Sequence, residues 1–163
     1  MKSIRIQLGI IPTLSAALLL AACGSTTGTG AASPSPSPAL IHTASLKVGD
    51  KTLTVLKNAA GLTLYYFKPD TATKIACTGA CASNWPPLLA TSGTPTSNPA
   101  LPGQLTVLNG PNGNQVLYNG HPLYAYSKDK EAGDVFGQGV GGRWFVATPD
   151  LATAIAASST PIY

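Results

Sequence analysis

Three cysteines are the residues of this chain whose chemistry the sequence defines best. Cys77 and Cys81 stand four positions apart, and Cys23 lies far from both. A c-type haem attachment needs C-x-x-C followed by histidine, whereas the spacing here is C-x3-C and no histidine follows. A structural zinc site needs about four ligands, and the only histidines are His42 and His121. The pattern favours a disulfide between Cys77 and Cys81, with a redox-active pair or a metal site as alternatives.

Cys23 closes a leader with the properties of an export signal. Residues 1–22 carry positive charge at Lys2 and Arg5, followed by an apolar run shorter than the roughly 20 residues of a membrane-spanning helix. The end of this run, Leu20–Cys23, resembles the lipobox of bacterial lipoproteins, in which the cysteine is acylated and becomes the mature first residue. We therefore expect a signal peptide over residues 1–22, lipidation of Cys23 and membrane attachment through its acyl chains. An ordinary signal peptide or an uncleaved anchor is the alternative.

The segment after Cys23 has few side chains that could form a core. We assign residues 23–45 to the lipidated cysteine and a tether rich in Ser, Gly and Pro. Its SPSPSP run favours extended polyproline geometry. At about 3.1 Å per residue, residues 24–39 could hold a folded body up to roughly 50 Å from a membrane. The sequence thus predicts a bacterial envelope protein that faces the periplasm or the exterior.

Charge and composition narrow the class of protein and the partners. Without the two basic residues of the leader, 8 basic and 6 acidic residues remain, a net charge of +2. The basic residues are scattered and form no basic stripe that would follow a phosphate backbone, so we expect no nucleic-acid partner. The charged fraction is only 10%, with 17 glycines and 14 prolines, which favours strands and turns over long helices.

The remainder of the chain contains an internal repeat. LTVL occurs at 53–56 and 105–108, and LYYFKPD at 64–70 matches LYAYSKD at 123–129. A tryptophan follows the aspartate of each copy after fifteen residues. Measured from LTVL, the second copy carries seven extra residues before LY. We predict a first repeat at 46–92, a linker at 93–103, a second repeat at 104–149 and a C-terminal tail at 150–163.

The residue pattern within each copy predicts β-strands. LTVL is rich in β-branched residues, Asn58–Gly61 suits a turn, and Asn119-Gly120 is a strong hairpin signal. The stretch from Gly141 to Pro149 predicts a closing strand. Repeats of about 45 residues are near the size below which isolated domains are marginal, so we expect a shared core. The predicted fold is all-β: two tandem β-rich repeats packed as one small domain, stapled by a disulfide in the first repeat.

The repeated motif resembles that of a known family. The pattern L-Y-x-[aromatic]-x-x-D, followed by CTGACASNWPPL at 77–88, is similar to the bacterial lipoprotein family of secreted repeats with a Y-x4-D motif. The resemblance covers roughly residues 48–149. It implies exported bacterial proteins, mostly built as tandem pairs, with no established biochemical role and no associated enzyme activity.

The repeat also bears on the two neighbouring cysteines. Counted back from each tryptophan, Cys77 aligns with Phe136 and Cys81 with Val140. Positions that accept apolar side chains are expected in a core or a staple. This alignment again favours a structural disulfide, which in so short a loop would fix local shape more than global stability.

The Tyr, Asp and Trp residues of the motif support two interpretations. They are Tyr65, Asp70 and Trp85 in the first copy, and Tyr124, Asp129 and Trp144 in the second. As a binding site, the tyrosines would donate and the aspartates accept hydrogen bonds, while exposed rings would contact a glycan or an envelope protein. As structural residues, an aspartate just past a strand would bond the following backbone and fix a turn, with its tyrosine in the core. The structural interpretation is favoured.

Other candidate sites are weaker. Asp129, Glu131 and Asp134 could supply oxygen ligands to calcium, but they lack the EF-hand spacing, and the first copy keeps only Asp70 of this group. There is no G-x-S-x-G motif, no second glutamate for glycoside hydrolysis and no phosphate-binding glycine loop. We therefore assign no catalytic residue, no cofactor and no metal.

Two functions of different classes follow. The first is a lipid-anchored envelope protein that acts as a non-enzymatic binding or structural module, with an envelope protein or a glycan as its partner. The second is a redox or metal-handling periplasmic protein that uses Cys77 and Cys81. The absence of a complete catalytic set favours the first.

Overall fold

The computed structural model describes residues 39–154, which form two β-sheets. The predictions for the signal peptide, for Cys23, for the tether up to residue 38 and for residues 155–163 lie outside this range. No helix within residues 39–154 is long and apolar enough to cross a membrane. The strands are β1 (Ile41–Val48), β2 (Lys51–Asn58), β3 (Tyr65–Phe67), β4 (Ser97–Asn98), β5 (Leu105–Gly110), β6 (Gly113–Tyr118), β7 (His121–Tyr124) and β8 (Trp144–Val146), with a short helix, α1 (Ala80–Asn84), and a 3-10 turn at Val140–Gly142.

Two antiparallel hairpins, β1–β2 and β5–β6, form the basis of the two sheets. The smaller sheet has the order β2-β1-β4, in which β4 runs parallel to β1. The larger sheet has the order β5-β6-β7-β3-β8, and its neighbouring strands are all antiparallel. Because β3 of the first repeat lies between β7 and β8 of the second, the two repeats share one sheet.

The segment that follows Trp144 lies between strands of the first repeat. The backbone N–H of Ala147 donates to the carbonyl of Leu64 at 2.8 Å. The carbonyl of Ala147 in turn accepts from the N–H of Leu56 at 2.8 Å. The end of the second repeat therefore completes the backbone hydrogen bonding of the first.

The first repeat makes the reciprocal contribution. The N–H of Leu88 donates to the carbonyl of Leu123 at 2.9 Å, and its carbonyl accepts from the N–H of Val116 at 2.8 Å. This segment follows Trp85 directly but forms only isolated bridges, because Pro86 and Pro87 have no N–H to donate. The two repeats thus interlock through their C-terminal segments.

This hydrogen bonding corrects the alignment that LTVL suggested. Leu56 and Val116 make the same bond in the two halves, so β2 corresponds to β6 and β1 to β5. The second LTVL, at 105–108, lies on β5 and is therefore not the equivalent of the first, which lies on β2. The seven extra residues counted from LTVL arise because the sequence alignment matched two strands that are not equivalent.

Other local features agree with the predicted turns or adjust the predicted limits. Asn119 and Gly120 have φ values of 49° and 80° and join β6 to β7 as a two-residue hairpin turn. Residues 41–45, predicted as the end of the tether, belong to β1, and the linker at 93–103 contains β4. The all-β class, the two repeats and the cysteine pair in the first repeat are confirmed.

The core has two parts. One is aromatic and lies around Tyr65, Trp85, Tyr124, Tyr126 and Trp144, together with Cys77, Val48, Val55 and Val146. The other is mainly aliphatic and contains Ile41, Leu56, Leu64, Leu88, Val116, Tyr118, Leu123 and Ala147. Both parts draw residues from both repeats, so neither repeat has a complete core of its own.

Gly137 provides a test of how tightly the aromatic part is packed. A Cβ at this position would lie 2.7 Å from the Tyr65 ring and 2.9 Å from the Trp85 ring. We expect Gly137→Ala to lower the free energy of unfolding by about 1–3 kcal/mol because the rings must move. Gly133→Ala is the matched control, since its Cβ would meet nothing within 4 Å. Urea denaturation measures both, and equal stabilities for the two variants would contradict this view of the packing.

Candidate functional site

The repeated Tyr and Asp residues form hydrogen bonds across the two repeats. The hydroxyl of Tyr65 donates to Oδ2 of Asp129 at 2.6 Å, and the hydroxyl of Tyr124 donates to Oδ2 of Asp70 at 2.6 Å. In the antiparallel β3–β7 pair, Tyr65 and Tyr124 are register partners, so a local two-fold relation generates one bond from the other. The motif therefore links the two copies, which its appearance within each copy did not predict.

The second carboxylate oxygen of each aspartate fixes a loop. Oδ1 of Asp70 accepts the N–H of Ala76 at 2.7 Å, and Oδ1 of Asp129 accepts the N–H of Phe136 at 3.1 Å. Each carboxylate thus joins the loop that follows its own strand to the tyrosine of the other repeat. Aspartates commonly stabilise a following turn in this way.

The electrostatics of the pairs follow from their burial. Asp70 and Asp129 are only 4% and 2% exposed, and burial raises the pKa of both carboxyl groups, against the lowering effect of their hydrogen bonds. Burial also raises the pKa of the Tyr65 and Tyr124 hydroxyls, and the aspartate partners raise it further. Neither group is free to meet a ligand, so the arrangement suits a buried structural link better than a general acid or base.

Four aromatic rings form a stack beside the Tyr–Asp pairs. Trp85 and Trp144 lie parallel, with centroids 3.7 Å apart and planes inclined by 2°. Tyr126 stacks on the outer side of Trp85 at 4.1 Å, and Phe67 stacks on the outer side of Trp144 at 4.4 Å. Since Tyr126 and Phe67 hold the same motif position in the two copies, the stack has the same two-fold relation as the hydrogen bonds.

Each motif tyrosine also contacts the tryptophan of its own repeat. Tyr65 meets Trp85 edge-on at 5.5 Å, and Tyr124 meets Trp144 edge-on at 5.2 Å. Both tyrosines are fully buried, and each tryptophan is 5% exposed. The interpretation of these rings as a surface for direct contact with a glycan or protein is therefore wrong, because they form the interior.

The cysteine pair belongs to the same region. The Sγ atoms of Cys77 and Cys81 are 2.03 Å apart, a bonded distance. Cys77 is fully buried in the aromatic part of the core, whereas Cys81 is half-buried, so an external thiol would reach Cys81 more readily. Val140, the counterpart of Cys81, is also half-buried, but Phe136 is 64% exposed and does not match the buried Cys77.

Two of the three acidic residues near the second motif are bonded to other groups of the protein. The carboxylate of Asp129 is occupied by Tyr65 and Phe136, while Oδ2 of Asp134 accepts the backbone N–H groups of Lys130 and Glu131 at 2.7 and 2.9 Å. These two bonds lower the pKa of Asp134. Over residues 39–154, no three His, Cys, Asp or Glu side chains lie close enough to hold a metal ion.

One group of surface side chains was missed at the sequence level. We call Tyr66, His121, Phe145 and Lys68 the outer strip. The Tyr66 ring lies 5.0 Å from the His121 ring and 6.0 Å from the Phe145 ring, and Nζ of Lys68 lies 4.6 Å from the Phe145 centroid. The three rings are half-buried and Lys68 is exposed. The alternation of β3, with Tyr65 inward and Tyr66 on the opposite face, was the available signal.

His121 has a specific environment within the outer strip. Its Nε2 lies 3.0 Å from the carbonyl of Ala152, to which it donates, whereas its buried Nδ1 has no hydrogen-bond partner among residues 39–154. Burial lowers the pKa of the imidazole, although the bond to Ala152 opposes this effect. Burial thus favours the neutral imidazole, in which the buried Nδ1 is an acceptor.

The crossed hydrogen bonds can be tested with double-mutant cycles. We expect Tyr65→Phe and Asp129→Asn to be coupled by about 0.5–3 kcal/mol in the free energy of unfolding, because the two side chains share one buried bond. The cycle of Tyr65→Phe with Asp70→Asn, the aspartate of the same copy, should give a smaller coupling. Tyr66→Phe is the control for loss of a half-exposed hydroxyl and should change stability by less than about 0.5 kcal/mol. Stronger coupling within a copy than between copies would refute the crossed arrangement.

Comparison with known proteins places these features in a family. The family model described as a secreted repeat of unknown function matches residues 50–89 and 106–148, together more than half of the chain. No curated protein and no solved structure matches the chain. Each matched segment contains the Tyr, the Asp and the Trp of one copy of the repeated motif. The chain therefore belongs to the family of secreted repeats of unknown function, as its motif had suggested.

Proposed function

We propose that this protein is a lipid-anchored component of the bacterial envelope whose folded body is a non-enzymatic binding module. The observation that carries the proposal is the closure of the repeated motif: Tyr65 bonds Asp129, Tyr124 bonds Asp70, and all four side chains are buried. The tyrosine hydroxyls and aspartate carboxylates of the motif are thus occupied in joining the two repeats. A secreted family is consistent with an extracellular or envelope location.

The anchor is supported by the leader. Positive charge, a short apolar run and Leu20–Cys23 precede a tether that contains SPSPSP. Two or more acyl signals give stable membrane attachment, whereas a single short chain gives only marginal binding. A lipidated Cys23 would hold the folded body at the membrane while the tether leaves its surface free to meet a partner.

The outer strip is the surface that suits such a partner. Within residues 39–154 it occurs in one half only, because the positions of Tyr66 and Phe145 are occupied by Ala125 and Pro86 in the other half. Half-buried aromatic rings beside a cation are typical of the centre of protein interfaces. We assign this strip to contact with another envelope protein.

The anchor is tested by metabolic labelling with a radioactive fatty acid. We expect the wild-type chain to carry the label and to sediment with membranes, and Cys23→Ser to lose both properties because it removes the acylated thiol. Ser25→Ala, two residues further along, is the matched control and should keep both. Labelled Cys23→Ser protein would overturn the proposed anchor.

The binding surface is tested by co-sedimentation with isolated envelope fragments, in the Cys23→Ser background so that sedimentation through the acyl chains does not contribute. We expect Tyr66→Ala combined with Phe145→Ala to weaken binding at least about tenfold, since two anchoring rings are removed. Phe136→Ala is the control, because it removes an exposed aromatic ring outside the strip. Protease treatment of the fragments should abolish binding if the partner is a protein. Unchanged binding by the double variant, or binding that survives protease treatment, would contradict the assignment.

A further inference from the structure

Two basic side chains lie side by side at the end of the outer strip. Tyr66 is the register partner of Phe145 between the antiparallel strands β3 and β8. The next pair on the same face is Lys68 with Arg143, where the N–H of Lys68 donates to the carbonyl of Arg143 at 2.9 Å. Both of these side chains are exposed. Because residues directly opposite each other have their Cβ atoms about 5 Å apart, this end of the sheet presents two adjacent positive charges.

This pair of charges is unfavourable for the fold itself. Like charges directly opposite each other on a sheet are destabilising. Strands β3, β7 and β8 (YYF, HPLY and WFV) contain no acidic residue that could neutralise them. The aspartates that follow β3 and β7, Asp70 and Asp129, are buried and bonded to the motif tyrosines. The face beside the aromatic rings therefore keeps a positive charge.

The other half of the molecule forms the same backbone contact without charges. The N–H of Ser127 donates to the carbonyl of Asn84 at 2.9 Å, as the N–H of Lys68 does to the carbonyl of Arg143. Ser127 and Asn84 are thus the equivalents of the two basic residues, and both are uncharged. The shared frame does not require the cations, which occur in the same half as the rings of the outer strip.

We propose that the outer strip, together with Arg143, binds an acidic segment of another protein. This inference rests on the function proposed above and specifies the chemistry of its partner. Carboxylates of the segment meet Lys68 and Arg143, whose guanidinium group holds a carboxylate through two N–H groups. Apolar side chains of the same segment pack on the rings of Tyr66 and Phe145. Recognition of acidic motifs by clustered cations is a recurring mode of peptide binding.

A protein segment fits this surface better than an anionic lipid surface does. Attraction to lipid headgroups typically requires clusters of roughly 4–8 basic residues, whereas the register of β3 and β8 brings only Lys68 and Arg143 together. Nζ of Lys68 lies 4.6 Å from the centroid of the half-buried Phe145 ring, so charge and apolar surface adjoin. Aromatic residues and arginine are enriched at protein interfaces, which suits this combination.

Titration calorimetry of the full chain, in the Cys23→Ser background, tests the proposal with a random copolymer of glutamate and tyrosine as the acidic probe. We expect the copolymer to bind, and added salt to weaken the binding because exposed charges are screened. Arg143→Glu should weaken binding at least about tenfold, since it reverses one charge and gives Lys68 an acidic partner within the chain. Opposite charges directly across a sheet are stabilising, so this variant should stay folded, as near-UV circular dichroism of the aromatic stack reports.

Two further variants control for net charge and for the frame. Lys47→Glu makes the same change of charge at an exposed lysine of β1, in the smaller sheet, and should bind as the unsubstituted chain does. Lys68→Ser with Arg143→Asn introduces the residues of the other half and should weaken binding at least about threefold, since both cations are lost.

The outcomes separate this inference from the proposed function. Failure of the copolymer to bind, or equal binding by Arg143→Glu and Lys47→Glu, overturns the acidic segment. Tighter binding of phosphatidylglycerol vesicles or of polygalacturonate than of the copolymer also overturns it, in favour of a lipid or a glycan. Binding to envelope fragments that depends on Tyr66 and Phe145 but not on Arg143 overturns the acidic segment and leaves the proposed binding module intact. Fragment binding that depends on none of these residues overturns both.

Discussion

The crossed hydrogen bonds between Tyr65 and Asp129 and between Tyr124 and Asp70 are the constraint on which the rest of the structure depends. A buried carboxyl group is costly unless its oxygens accept hydrogen bonds, and here the required hydroxyl comes from the other repeat. A single repeat folded alone would bury an aspartate that lacks its tyrosine. The bonds therefore make the folding of each repeat dependent on the other.

The backbone and the aromatic stack strengthen this dependence. Ala147 bonds strands of the first repeat, Leu88 bonds strands of the second, and the Trp85–Trp144 contact joins the copies at 3.7 Å. Removal of either repeat would leave backbone groups unpaired and a large aromatic face exposed. Two units that are individually too small for a complete core thus form one cooperative body.

Much of this arrangement could be predicted from the sequence, and the features that could not be predicted have no local sequence signal. The repeat, the strand class, the Asn119-Gly120 turn and the cysteine pair have local signals of composition or spacing. The crossing of the Tyr–Asp hydrogen bonds between the copies has no such local signal. A Tyr and an Asp five residues apart have the same spacing whether they bond each other or their counterparts in the other copy. The match of LTVL was misleading for a similar reason: a short β-branched segment suits either strand of a hairpin, so it does not specify which one. Phe136 shows the limit of alignment. Counted from the tryptophan it matches the buried Cys77, but its N–H bonds the motif aspartate as that of Ala76 does, so it corresponds to the exposed Ala76.

The local two-fold relation distinguishes the contacts that both copies share from the features that occur in one copy only. Tyr, Asp and Trp recur in both copies because a symmetric interface requires both partners of each contact. The disulfide and the outer strip have no counterpart: Tyr66 and Phe145 face the surface where the other half has Ala125 and Pro86. The contacts between the copies are made by the shared Tyr, Asp and Trp residues, and they do not require a large half-exposed aromatic group that is present in one half alone. It is this asymmetry, more than the repeated motif, that directs the search for a partner toward the face formed by β7, β3 and β8.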